Sequence, residues 1–173
     1  MTQLTATRAR TGLQIAGFAL LGSAALAASA QITLPMWPVP ATMQTLVVLL
    51  LGALGGTRVG VAAVLAYLLE GAIGLPVFAG GAAGPAALMG PTAGFLLGFL
   101  PAAALAGLAR GTLLRQAAVL TAAHLLLFVP GVLWLAQFTG LEKAVMVGFV
   151  LFIPGTVVKT ALALATLRAL RRA

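Results

Sequence analysis

Apolar residues in this chain come in long unbroken blocks, and most polar positions fall in the gaps between them. A bilayer core of about 30 Å is crossed by ~20 apolar helical residues, with ~17 sufficient in some cases. By that measure the pattern predicts six spans, at about residues 13–32, 43–54, 59–73, 91–108, 116–137 and 154–167. The second and third are short, so they extend into flanking turns or tilt little. The gaps carry turn chemistry. Residues 33–42, TLPMWPVPAT, hold three prolines and a tryptophan and predict a loop at the membrane interface. Gly55-Gly56-Thr57-Arg58 ends the second span, and residues 74–90 are too rich in Gly, Pro and Ala to form one helix. Residues 110–115 form a basic turn, and Pro130-Gly131 predicts a kink in the fifth span. Glu142-Lys143 opens a short amphipathic piece that ends at Pro154-Gly155, where the sixth helix begins. The expected organisation is one domain, residues 1–173.

The first block needs a check. Arg8 and Arg10 precede an apolar run that ends in Ala28-Ser29-Ala30, which resembles a signal peptide and its cleavage site. The run is longer than a signal core and everything downstream is equally membrane-like, so it is read as the first span.

Composition sharpens the fold class. Of 173 residues 62% are hydrophobic and 7% charged, against roughly 25% charged in a soluble domain. Mean hydropathy is +1.15. The chain has no means of covering a water-facing surface, and the expected fold is an all-α membrane bundle with irregular outer loops.

A net charge of +8 raises the question of nucleic acid. The basic residues lie singly or in small groups at helix ends, which fits membrane anchoring and argues against a nucleic-acid partner. With the N-terminus inside, Arg8, Arg10, Arg58, Arg110, Arg115, Arg168, Arg171 and Arg172 share one side, and the other holds Lys143, offset by Glu142. The positive-inside rule then places both termini in the cytoplasm. It also gathers three irregular segments on the outer face, where an external ligand arrives.

Candidate chemistry is sparse. There is no cysteine, so disulfides, thiolate nucleophiles and Cys-ligated metals are excluded. Two acids, Glu70 and Glu142, and one histidine, His124, are too few for a carboxylate-rich metal site or an acid/base pair. Gly155-Thr-Val-Val-Lys159-Thr160 ends like a phosphate-binding loop but lacks the glycine before the lysine, so the chain is not expected to hydrolyse ATP. Lys159 stands out, because an ammonium at mid-helix costs at least ~2.5 kcal/mol to insert and marks a functional site by default. The reading places it in the first turn of the sixth helix, with Thr156 as N-cap, where a helix N-terminus and a lysine together suit a ligand carboxylate. Snorkelling of Lys159 to the outer interface is the alternative.

Glu70 is the one acid within a predicted span, and Tyr67, one turn earlier, is expected to share a cavity wall with it. A structural pairing of Glu70 is the competing reading. Gln44 opens the second helix and offers both donor and acceptor. Residues 74–85 supply free backbone groups with little side-chain bulk, as a lid over a small ligand would. His124 reads as a hydrogen-bonded core residue, and Trp37 and Trp134 as interfacial belt residues. On the first helix Gly12, Ala16, Ala19, Ser23, Ala27 and Ala30 make a smooth face, and Ala24 and Ala28 a second small pair beside it. Such faces serve either another chain or the internal bundle.

Four blocks taken in order resemble the BioY family, the biotin-specific substrate-capture (S) components of energy-coupling-factor (ECF) transporters. They are Pro38-Val-Pro-Ala-Thr-Met-Gln44-Thr, Tyr67-Leu-Leu-Glu-Gly-Ala-Ile-Gly-Leu-Pro-Val-Phe78, Gly90-Pro-Thr-Ala-Gly-Phe95 and Phe152-Ile-Pro-Gly-Thr-Val-Val-Lys159. The resemblance implies six helices, with biotin held near the outer face under the first and third outer loops and against the sixth helix. It implies no cofactor. The implied partners are a transmembrane coupling (T) protein, docked on Ala24 and Ala28, and a pair of cytoplasmic ATPases. The implied ligand residues are Gln44, Tyr67, Glu70, Phe78, Gly80, Gly84, Thr92, Phe95, Thr156 and Lys159.

Three positions depart from the family pattern. Thr156 stands where an aspartate is usual, Phe95 where a tyrosine is usual, and Gly80 where an asparagine often follows the alanine. Rival readings are an S component for another small vitamin, an intramembrane enzyme and a purely structural subunit.

Overall fold

The computed structural model describes residues 2–170, with side-chain surroundings from residue 12 onward. Helix α1 spans Thr2–Ala30 and is followed by a small hairpin, β1 (Thr33–Leu34) and β2 (Ala41–Thr42), paired Thr33 with Thr42 and Leu34 with Ala41. The prolines of the expected interfacial loop sit between the paired residues, where a missing N–H breaks no ladder bond.

The predicted second and third spans are the two arms of one element, α2 (Gln44–Ala72). Gly56 has φ 76° and ψ 171°, and there the element folds back on itself. A methyl group on Gly60 would lie 2.9 Å from the Gly52 Cα, whereas residues eight apart on a straight helix are ~12 Å apart. The arms form a tight antiparallel pair, and only glycine takes the Gly56 backbone readily.

A loop with a 3₁₀ turn at Ala79–Gly81 leads to the short helix α3 (Gly84–Ala87), with Pro85 in its first turn. Gly80 and Gly81, at φ 68° and 75°, keep this segment out of helix. Helix α4 (Ala93–Ala106) follows, then α5 (Leu113–Leu126), whose N-cap Thr112 accepts from the Arg115 amide, and α6 (Phe128–Thr139). The kink expected at Pro130-Gly131 falls at Leu127 instead. A proline ring clashes with the carbonyl four residues earlier, here Leu126, so the helix breaks ahead of the proline.

Helix α7 (Leu141–Gly148) and a 3₁₀ turn (Val150–Phe152) lead into α8 (Ile153–Leu170). The sixth helix begins at Pro154, as the sequence predicts: the proline lies in the first turn of α8, where its missing N–H costs nothing. Thr156 is therefore inside the helix and not its N-cap, and Lys159 belongs to the second turn. Arg8 and Arg10, and Arg171 and Arg172, lie outside the residues whose side chains are described.

The result is a six-helix membrane bundle: α1, the two arms of α2, α4, α5 continued by α6, and α8. Lipid provides no hydrophobic force between helices, so close approach of small residues has to hold them. Methyl groups on Gly52 and Gly94 would strike the Ala103 and Pro130 carbonyl oxygens, and one on Gly98 would lie 2.6 Å from the Leu127 oxygen. These contacts lock α4 against α2 and α6. On α1, Ala19, Ser23 and Ala30 are buried and Ala27 half-buried, so the smooth face serves the bundle from Ala19 onward, whereas Gly12, Ala16, Ala24 and Ala28 are exposed.

The interior divides in two. One end is lined by small and aliphatic residues such as Leu49, Ala106, Leu120, Ala163 and Leu167. The other is aromatic, with Tyr67, Phe78, Phe95, Phe99 and Phe128.

Candidate functional site

Large rings cannot close up as tightly as the glycine crossings do, and the aromatic end encloses a cavity of about 250 Å³. The β-hairpin contributes Val39, Pro40 and Thr42, and the start of α2 contributes Gln44 and Thr45. Phe78, Ala79, Ala82 and Ala87 close it from the glycine-rich loop and α3, while Thr92, Phe95, Leu96 and Phe99 descend along α4. Leu127, Phe128, Phe152 and Lys159 complete the wall.

The aromatic side is built on glycine. Phe78 lies directly on Gly71, and Phe95 on Gly131, so neither glycine has room for a side chain. Phe95 stacks with Phe152 at 6.4 Å and 21°, and meets Phe128 edge-on at 6.2 Å. Such rings hold their orientation and present flat apolar faces.

The polar side is a relay. The Thr42 hydroxyl donates to Gln44 Oε1 at 3.2 Å, and Gln44 Nε2 donates to the Tyr67 hydroxyl at 2.6 Å. Tyr67 donates in turn to the Val77 carbonyl at 3.2 Å. The relay ties the β-hairpin, both arms of α2 and the glycine-rich loop into one frame. It uses one donor and one acceptor of the Gln44 amide and leaves one further donor site and acceptor lone pair.

Lys159 is 8% exposed, and its ammonium donates to the Thr42 carbonyl at 3.0 Å. An ammonium has three donors, so two remain. Among the described residues no carboxylate pairs with it. A buried cation with spare donors at the rim of an apolar cavity accepts a carboxylate or a strongly polar carbonyl.

The residues expected from the sequence divide accordingly. Gln44, Phe78, Thr92, Phe95 and Lys159 line the cavity. Tyr67 stands behind Gln44 as its support, fully buried and off the cavity wall. Glu70 does not share that wall either: it turns to α1 and accepts from the buried Ser23 hydroxyl. Gly80 and Gly84 shape the loop without lining the cavity. Thr156 lies against α5, in a separate groove with Thr121 and Thr160, and not beside the ligand space.

His124 is a core residue, bonded through Nδ1 to Thr160 at 2.7 Å. Trp134 donates to the Gly90 carbonyl at 2.9 Å, fixing the start of α4 to α6, and Trp37 lies 5.5 Å beneath the Lys143 ammonium. Val39, Thr45, Phe128 and Phe152 were not among the expected ligand residues, and Ser23 was read only as part of the small-residue face of α1. Thr45, beside Gln44, and Phe152, seven residues before Lys159, were within reach of helical spacing; Ser23, 47 residues from Glu70, carried no local signal.

Fold and cavity together define a multi-pass membrane protein with a small, mostly apolar cavity between its loops and helix ends. The chain belongs to the BioY family, whose family model matches residues 1–173. It is 39% identical over 134 residues to the "Probable biotin transporter BioY" of Pyrococcus horikoshii, covering 78% of this chain and 82% of that protein. It is also 39% identical over 168 residues to the "Biotin transporter BioY2" of Lactococcus lactis, covering 87% and 88%. In fold it is similar to the crystal structure of the S-component for biotin from an ECF-type ABC transporter, with a TM-score of 0.84, 22% identity and coverage of 95% and 94%.

Proposed function

We propose that the chain captures biotin from outside the cell, as the S component of an ECF-type transporter. The observation that carries this reading is the buried Lys159 ammonium at the polar rim of an aromatic cavity, in a chain whose relatives are named biotin transporters. Biotin has the matching layout: a ureido ring that donates and accepts hydrogen bonds, an apolar bicycle and chain, and a carboxylate. Phe78, Phe95 and Phe152 receive the apolar part, while Lys159, Gln44 and Thr92 meet the polar groups. Tyr67 acts through Gln44, and Glu70, Gly80, Gly84 and Thr156 hold the frame around the site.

The excess of arginine on one side supports a reading with both termini in the cytoplasm and the cavity at the outer face of a bacterial inner membrane. Without a phosphate-binding loop the chain draws its energy from partner ATPases, through a coupling protein docked on the exposed Ala24 and Ala28. Capture itself needs no nucleotide.

Competition decides the ligand. Labelled biotin on the purified chain is displaced by unlabelled biotin and not by equal thiamine or riboflavin; displacement by either vitamin reassigns the substrate. Biotin methyl ester locates the Lys159 contact. It binds poorly if the lysine holds the carboxylate, and as well as biotin if the lysine holds the ureido carbonyl.

A further inference from the structure

A second polar recess lies at the far end of the bundle. The first arm of α2, α4 and α5 all run between the cavity and this end, so 12 to 15 helical residues, or about 20 Å, separate the two sites. The recess is an open groove of about 550 Å³ between the α2 turn and the α4–α5 turn, and it is lined by Arg58, Arg110 and Arg115. The two turns are physically joined. The Arg110 guanidinium reaches across to within 3.8 Å of where a side chain on Gly56 would begin.

Three guanidinium groups on one groove repel each other unless an anion lies between them, and a cleft lined by one sign of charge concentrates the opposite charge. The chain cannot provide that anion from a side chain. Its only acidic residues are Glu70, which bonds Ser23, and Glu142, at the start of α7 beside the far ends of the same helices. The surroundings identify the form the anion takes. Leu108 lies in the groove and is 54% exposed, and Leu114, next to Arg115, is 80% exposed. Arginines beside outward leucines match a molecule with a phosphate head and acyl chains, and arginine holds phosphate oxygens in a two-pronged geometry.

We propose that the groove formed by Arg58, Arg110 and Arg115 binds the headgroup of an anionic phospholipid, with Leu108 and Leu114 against its acyl chains. The site is independent of the biotin cavity and of any substrate assignment.

Native mass spectrometry of the purified chain, offered equal phosphatidylglycerol and phosphatidylcholine, tests this. Wild type retains phosphatidylglycerol at least fivefold over phosphatidylcholine, and the combined Arg58→Gln, Arg110→Gln, Arg115→Gln variant brings the ratio to about one. Helical circular dichroism and a single size-exclusion peak verify that the variant is folded. Where it is not, Arg110→Gln alone lowers the ratio by at least half. Equal retention of both lipids by wild type overturns the proposal, as does an undiminished ratio in the folded variant. Inorganic phosphate that raises the melting temperature as much as phosphatidylglycerol would show a plain anion site and overturn the lipid assignment. No lipid preference, together with loss of coupling-protein capture in the variant, would assign the groove to a protein partner and likewise reject it.

Discussion

Replacing Lys159 with methionine separates the two things this side chain does. Among the described residues the ammonium makes one hydrogen bond, to the Thr42 carbonyl at 3.0 Å, from a position 8% exposed. Methionine fills similar volume, forfeits that bond and leaves the Thr42 oxygen without the lysine donor. A charge-assisted hydrogen bond contributes about 1.5–3 kcal/mol, while inserting the charge costs at least ~2.5 kcal/mol. The two nearly cancel, so the apparent melting temperature of Lys159→Met in detergent stays close to wild type.

Ligand binding has no such compensation. The two spare donors of the ammonium are lost with nothing gained, and 1.5–3 kcal/mol at about 1.4 kcal/mol per tenfold gives roughly 10- to 100-fold weaker biotin binding. Titration calorimetry on the purified variant, paired with a thermal melt, reads both effects. An affinity within twofold of wild type, in a folded variant, would refute the assignment and favour a lysine that merely reaches the interface.

Tyr67→Phe removes the hydroxyl that joins Gln44 to the Val77 carbonyl. It leaves two buried polar groups short of a partner, at a cost of roughly 1–3 kcal/mol. A fall of several degrees in the melt, with a several-fold loss of biotin affinity as Gln44 loosens, is expected by fluorimetry and calorimetry. Gly52→Leu drives a side chain into the Ala103 backbone; because backbone cannot step aside, the cost exceeds the ~1–3 kcal/mol of ordinary overpacking, and size exclusion should show aggregation. Ala24→Trp projects from the exposed face of α1 and should leave biotin affinity unchanged while abolishing co-purification with the coupling protein.

The helices were legible because lipid imposes length and apolarity on every span, and those survive in a single sequence. What failed was local detail set by tertiary geometry. The kink falls at Leu127 because of a clash four residues ahead of Pro130, and Thr156 lies inside α8 instead of capping it, whereas the α2 turn at Gly56 and the helix start at Pro154 fall where the sequence places them. At the site, Lys159 and Gln44 were recoverable because a buried charge and an amide at a helix start are costly without a purpose. The direction of Tyr67, Glu70 and Thr156 was not. Each lies within a turn of a lining or partner residue, and a rotation of less than half a turn decides whether a side chain meets the cavity, α1 or α5. Glu70 found Ser23, and Thr156 found the α5 wall.

Equilibrium dialysis of labelled biotin against the purified, partner-free chain, without nucleotide, tests the central claim most directly when run beside Ala87→Trp. Ala87 lies on the cavity wall, and an indole there occupies a large part of the 250 Å³. The expected result is saturable binding of one biotin per chain in the wild type, and none in a folded Ala87→Trp protein. No saturable binding by the wild type, or full binding by the filled variant, would contradict the account.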